Sequence, residues 1–317
     1  MTAGATDTAH TDAALRRLLS TDINYGHGFS NHGPMCVEAL EHLGLTDHID
    51  AYLDANIPKL IAKEPDAVPV DDWRSFVADR ARELARHAGA KAGHGLLRFA
   101  HAVRAIEHAD TDVRRADLDE AARYWAASPG LDGPRSLNGD RSLAEVLPTL
   151  PRLDPIPIDG ALSTALRAAA DDPSVAAAAG SLGAPDDIGQ LFDELALAAA
   201  DRFVANEGLA QFTFMHGVTV PTMARQLLPH LDEAPAAELA AAVASFVLYA
   251  IAAFDNAVAA PLLPTPSVDH RELAEAAATS AEDHTIKFTD ACLTLAERTG
   301  DPIALQAAEL RYNNPPG

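Results

Sequence analysis

Along most of the chain, apolar side chains return every three or four positions, the period of a helix with one buried face. The clearest case is 70–87, where Trp73, Phe76, Val77, Ala81 and Leu84 fall on one stripe. Ile188, Leu191, Phe192, Leu195, Ala199 and Phe203 repeat the pattern, with Asp186 placed to cap that helix. The same reading puts helices at about 12–20, 34–43, 47–62, 93–106, 118–127, 209–228, 236–259, 269–298 and 302–311. Pro34 suits a first helical turn. Alternating strand patterns are nearly absent, so the expected fold is all-α, a bundle-like single domain over 12–317 behind a disordered start at 1–11.

Two stretches depart from that rhythm. Between Ser128 and Asp159, Pro129, Pro134, Pro148, Pro151, Pro155 and Pro157 exclude a long helix, leaving a domain linker or a wrapping loop. The run 239–254 is apolar throughout but, at sixteen residues, shorter than the roughly 20 of a bilayer span. It reads as a buried central helix.

Composition narrows the function. A formal charge of -22 over 317 residues argues against nucleic acid and anionic membranes, which need clustered Lys and Arg. Cys36 and Cys292 are far apart, so neither a disulfide framework nor a zinc ribbon is supported, and no signal-peptide pattern opens the chain. The expected location is the cytoplasm. Only four lysines (Lys59, Lys63, Lys91 and Lys287) stand against twenty arginines. Lys287 lies three residues after His284, on the same helix face. Its two readings are a long cation lying over a helix surface and an amine kept for its chemistry.

Thirteen histidines include six among charged neighbours or at helix ends, expected at the surface: His42, His48, His87, His108, His230 and His270. Others sit among Gly and apolar residues. His27 and His32 share a Gly-rich loop that opens onto a helix, His94 and His101 are seven apart between apolar side chains, and His216 follows Phe212, Phe214 and Met215. One such His is more often a core histidine than a ligand. Several on different helices can point into a shared interior and hold iron, copper, zinc or nickel. The Glu-x-x-His pairs of di-iron bundles, HExxH and GxGxxG are all missing.

Taken together, Asn31-His32-x-Pro34-Met35, Gly93-His94-Gly95-Leu96-Leu97-Arg98, Met215-His216-x-Val218-Thr219 and His284-x-x-Lys287 resemble the questin oxidase-like family, in the family's order across most of the chain. Members open a ring oxidatively in fungal anthraquinone and related polyketide pathways. The resemblance implies a mononuclear non-haem Fe(II) site with His32, His94, His216 and His284 as ligands and Lys287 carboxylated on its amine. It further implies dioxygen and a small aromatic polyketide-like substrate. Arg98 stands where the family's helix motif has a second histidine. Arg98, His27 and His101 are candidates for proton transfer or positioning, the plain alternative for the two histidines being packing or capping. Phe29, Phe99, Phe212, Phe214 and Phe288 flank the motifs as an apolar wall or as core. Two rival functions are an NADPH-dependent Baeyer-Villiger monooxygenase, supplied by a partner, and a non-catalytic helical protein that binds a metal or an aromatic metabolite.

Overall fold

The acidic residues that dominate the composition start many of the helices. Side chains of Asp72, Asp172, Asp187, Asp269, Glu282 and Asp301 each accept backbone N–H groups at a helix N-terminus, worth about 1 kcal/mol apiece. A computed structural model describes residues 5–25, 29–128, 131, 136–154, 162–256 and 265–314. Among them are fifteen α-helices: α1 (Ala5–Leu18), α2 (Gly33–His42), α3 (Ile49–Asn56), α4 (Trp73–Leu84), α5 (His94–His108), α6 (Asp112–Ala126), α7 (Leu143–Val146), α8 (Leu162–Asp171), α9 (Pro173–Gly180), α10 (Ile188–Ala205), α11 (Gly208–Ala224), α12 (Glu233–Phe254), α13 (His270–Ser280), α14 (Asp283–Thr299) and α15 (Pro302–Asn313). Among the described residues, strand pairing amounts to a two-residue antiparallel contact of Asn24–Tyr25 with Phe29–Ser30 and three isolated bridges. The fold is an all-α single domain.

Four helices form a ring that positions the histidines. Helix α2 packs on α5, α5 on α11, α11 on α14, and α14 back on α2. Helix α12 lies against α8, α10 and α11. At 22 residues it is long and apolar enough to cross a membrane, yet 83% of its most apolar window is buried inside the protein, so it serves as the core helix that the run 239–254 suggested. Close approach of α10 to α11 depends on Gly217, where an added Cβ would stand 2.8 Å from that of Ala199.

The structure corrects the sequence reading at several places. Helix α1 begins at Ala5, inside the segment expected to be disordered. Thr11 is fully buried, and Asp12 accepts from Arg114 Nε at 2.8 Å, so distant partners hold this end. The single helix expected over 269–298 is two, divided at Ala281, whose φ of 50° ends α13. Nothing in the sequence marks that stop, since Ala takes the left-handed conformation only at a cost of roughly 1–2 kcal/mol. Asn56 Nδ2 donates to the Ala281 carbonyl at 3.0 Å and helps to hold it there. Asp187, one residue later than expected, caps α10. Helices α8 and α9 lie where no helix was expected, α9 opening on Pro173. In the Pro-rich stretch, Leu143, Val146 and Leu150 join the main apolar cluster, and Leu153 N–H donates to the Ala252 carbonyl at 2.8 Å. Its described part wraps the core.

Candidate metal centre

Each histidine of the ring is placed by a local device. His32 is the N-cap residue of α2, whose first turn carries Pro34. His94 opens α5 after three left-handed residues, Lys91 (φ 48°), Ala92 (φ 57°) and Gly93 (φ 80°). At Gly93 a Cβ would come within 2.2 Å of Val220 Cγ2, so only glycine fits there. That turn brings the Lys91 carbonyl 2.6 Å from His94 Nδ1. His216 is in the middle of α11, one turn after Phe212. His284 and Lys287 occupy the first turns of α14, immediately behind its Glu282 cap.

The imidazoles converge. His32 Nε2 and His94 Nε2 are 2.9 Å apart. Ring centroids are separated by 4.8 Å for His32–His284, 4.9 Å for His94–His216 and 5.4 Å for His216–His284. His32, His94 and His284 each offer a nitrogen within 4.8 Å of the others, and this buried group could hold a metal ion.

Hydrogen bonding decides which nitrogens face inward. His94 Nδ1 donates to the Lys91 carbonyl, His216 Nδ1 to the Phe212 carbonyl at 3.1 Å, and His284 Nδ1 lies 3.3 Å from Glu282 Oε1. A carbonyl acceptor requires the proton on Nδ1, which leaves Nε2 as a lone-pair donor. Nε2 of His216 is buried with no hydrogen-bond partner, an expensive arrangement for a polar atom unless something satisfies it. Burial pushes His32 and His216 well below the usual imidazole range, holds His94 at about 3, and lowers His284 as well. All four are neutral at pH 7, the form that ligates. Two nitrogens 2.9 Å apart, each about 2.1 Å from a shared cation, would sit at roughly right angles around it. The donor set therefore fits a borderline transition metal.

Lys287 is 4% exposed, with Cys36, Asp283 and Glu282 near enough to act on its charge. Burial lowers its pKa. It lines a cleft of about 180 Å³ with Met215, His216, Thr219 and His284. The snorkelling-cation reading fails on burial.

The remaining candidates lie elsewhere. Arg98 is 4% exposed and bonds Asp117 through Nη1 at 2.9 Å, with Glu120 at 3.6 Å. His101 Nδ1 lies 2.5 Å from Glu38 Oε2. Both are held in buried ion networks. His27 lies outside the described residues, as does the Phe29 side chain. Phe99, Phe214 and Phe288 are fully buried core, whereas half-buried Phe212 has its ring 5.1 Å from His216 and 4.8 Å from His284. The six histidines expected at the surface are all at least partly exposed. Sequence reading did not name Glu282, Asp283, Met215 or Thr219 as site residues. Met215 and Thr219 stood inside the His216 motif, and Glu282 had a signal as an acidic cap two residues before His284.

No protein-family model matches this chain, and no curated protein matches it.

Proposed function

We propose that this protein is a non-haem Fe(II)-dependent oxygenase that oxidatively cleaves a ring of an aromatic polyketide-like substrate. The observation that carries the reading is a group of three imidazoles, His32, His94 and His284, close enough to share one ion, with the His216 ring 4.9 Å from that of His94 and the Lys287 side chain buried beside them. His32, His94, His216 and His284 would hold the metal through Nε2, with Nδ1 of the last three turned to oxygen acceptors that keep each ring in its tautomer. Lys287 would add the anionic ligand. Burial lowers its pKa and so raises the share of free amine, whose nitrogen lone pair would attack the carbon of carbon dioxide. One C–O π bond becomes a carboxylate, and the proton lost from nitrogen leaves to solvent, so a neutral amine becomes an anionic carbamate.

Bound iron supplies activation of dioxygen next to the substrate. The chain excludes bulk water with Met215 and Thr219 and offers the Phe212 ring as an apolar wall. The mixture of four imidazoles with one carboxylate-like oxygen favours iron over magnesium or calcium. No strand–glycine loop–helix unit occurs among the described residues, which disfavours a built-in NADPH site. One observation favours the binding-protein alternative: the cleft beside Lys287 has enclosed room for about one water molecule, far less than an ordinary ligand pocket. A flat substrate would then need Phe212 to swing aside.

Metal analysis of chelator-free protein tests the proposal. About one iron per chain is expected, lost in both His216→Ala and Lys287→Ala. Wild-type protein without metal would end the reading, and iron that binds without any oxygen consumption on anthraquinone-type compounds would favour the binding protein.

A further inference from the structure

A second cleft, of about 420 Å³, lies against the other edge of His32, and His94, His216 and Lys287 take no part in its lining. At its floor His32 is 5% exposed, and its Nδ1 has no hydrogen-bond partner. Asp283 Oδ2 stands 3.5 Å away, beyond a good hydrogen bond. Asp283 commits its other oxygen, Oδ1, to the Tyr52 hydroxyl at 2.5 Å. An imidazole nitrogen and a carboxylate oxygen therefore sit side by side in the cleft, and neither satisfies the other. A hydroxyl group suits this pair in either tautomer of His32, because an O–H both donates and accepts.

Lys59, an exposed residue, lines the same cleft. Its Nζ donates to Asn56 Oδ1 at 2.8 Å, which leaves two ammonium hydrogens. Leu53 and Ile57 supply apolar lining. We propose that this cleft binds a small hydroxylated carboxylic acid with an apolar middle, its hydroxyl on His32 and Asp283 and its carboxylate on Lys59. The cation matters in so acidic a chain, since it is the one lysine or arginine among the residues lining this cleft. The site shares His32 with the metal reading, through the opposite nitrogen, and does not need a metal to form.

Calorimetric titration of the metal-free full chain with 4-hydroxybenzoate tests the assignment. Saturable one-site binding is expected, weakened about tenfold or more when benzoate replaces the probe and likewise in Lys59→Gln, each change removing one polar anchor. Lys59 is at the surface, so its substitution leaves folding intact. No saturable binding, or equal binding of both acids to wild type and variant, would overturn the proposal. Because the protein is metal-free, a failure to bind iron leaves this result standing, and a failure here leaves the iron reading untouched.

Discussion

Helices α2, α5 and α14 each carry two polar layers, and the two layers are built on opposite principles. At the N-terminal ends His32, His94 and His284 face one another as neutral bases beside the buried Lys287. Farther along the same helices Glu38 and His42, His101 and Arg104, and Asp290 form a closed ion network. Arg104 donates to Glu38 through Nε at 2.6 Å and to Asp290 through Nη2 at 2.6 Å, His101 completes Glu38, and His42 pairs with Asp290 at 2.6 Å. The downstream layer satisfies its charges internally. In the upstream layer His32 Nδ1 and His216 Nε2 are left without partners. Two polar layers at similar depth thus differ in whether they need anything from outside, and that difference separates a structural network from a ligand site.

The largest effect that would sharpen the contrast comes from opening the closed layer. Glu38→Ala leaves buried His101 without its acceptor and Arg104 with Asp290 alone, and a loss of about 3–5 kcal/mol in denaturant unfolding is expected. A loss below 1 kcal/mol would show that the network is dispensable. In the open layer the response should be reversed, with added ligand stabilising the fold. Anaerobic Fe(II) at a hundred times its dissociation constant should raise wild-type stability by about 2.7 kcal/mol and leave His94→Ala unchanged. Equal stabilisation of both proteins would remove His94 from the ligand set.

A smaller effect should come from Glu282→Gln. This keeps the shape of the α14 cap but weakens the charged acceptor for His284 Nδ1, so metal affinity should fall about tenfold in competition titrations. Unchanged affinity would make Glu282 a cap only.

The smallest effect is on pH dependence without metal, where His94 of the open layer and His42 of the closed one have opposite signs. Burial lowers the pKa of His94 from 6.5 to about 3, so its stabilising contribution is present above the unfolded value and is lost as pH falls from about 6.5 toward 3. His42 is raised by Asp290, so its contribution is full below 6.5 and fades as pH rises through its folded value. With His32, His87, His94, His101, His216 and His284 lowered and His42 raised, unfolding free energy should decline on acidification from pH 7 to 5. His42→Gln should steepen that decline. A wild type more stable at pH 5 than at pH 7 would contradict the neutral layer.

Much of the fold was legible because helix periodicity and capping are local. Trp73 to Leu84 and Ile188 to Phe203 wrote their buried faces directly into the sequence, and the histidine motifs drew notice by being polar among apolar neighbours. The break at Ala281 was not legible, since it depends on Asn56 from another helix. Arg98 and His101 looked like site residues for the same reason as His94, because their buried partners Asp117 and Glu38 lie 19 and 63 positions away.

By itself the sequence determined the all-α class, the caps, the core helix α12 and a short set of chemically unusual side chains. Only the tertiary structure decided which of them meet. Spacing along a helix determines the face on which a side chain lies, but whether a buried nitrogen finds a partner depends on which other helices pack against that face. That is why His94 and His101, two turns apart on α5, end as a candidate ligand and a satisfied ion-pair member.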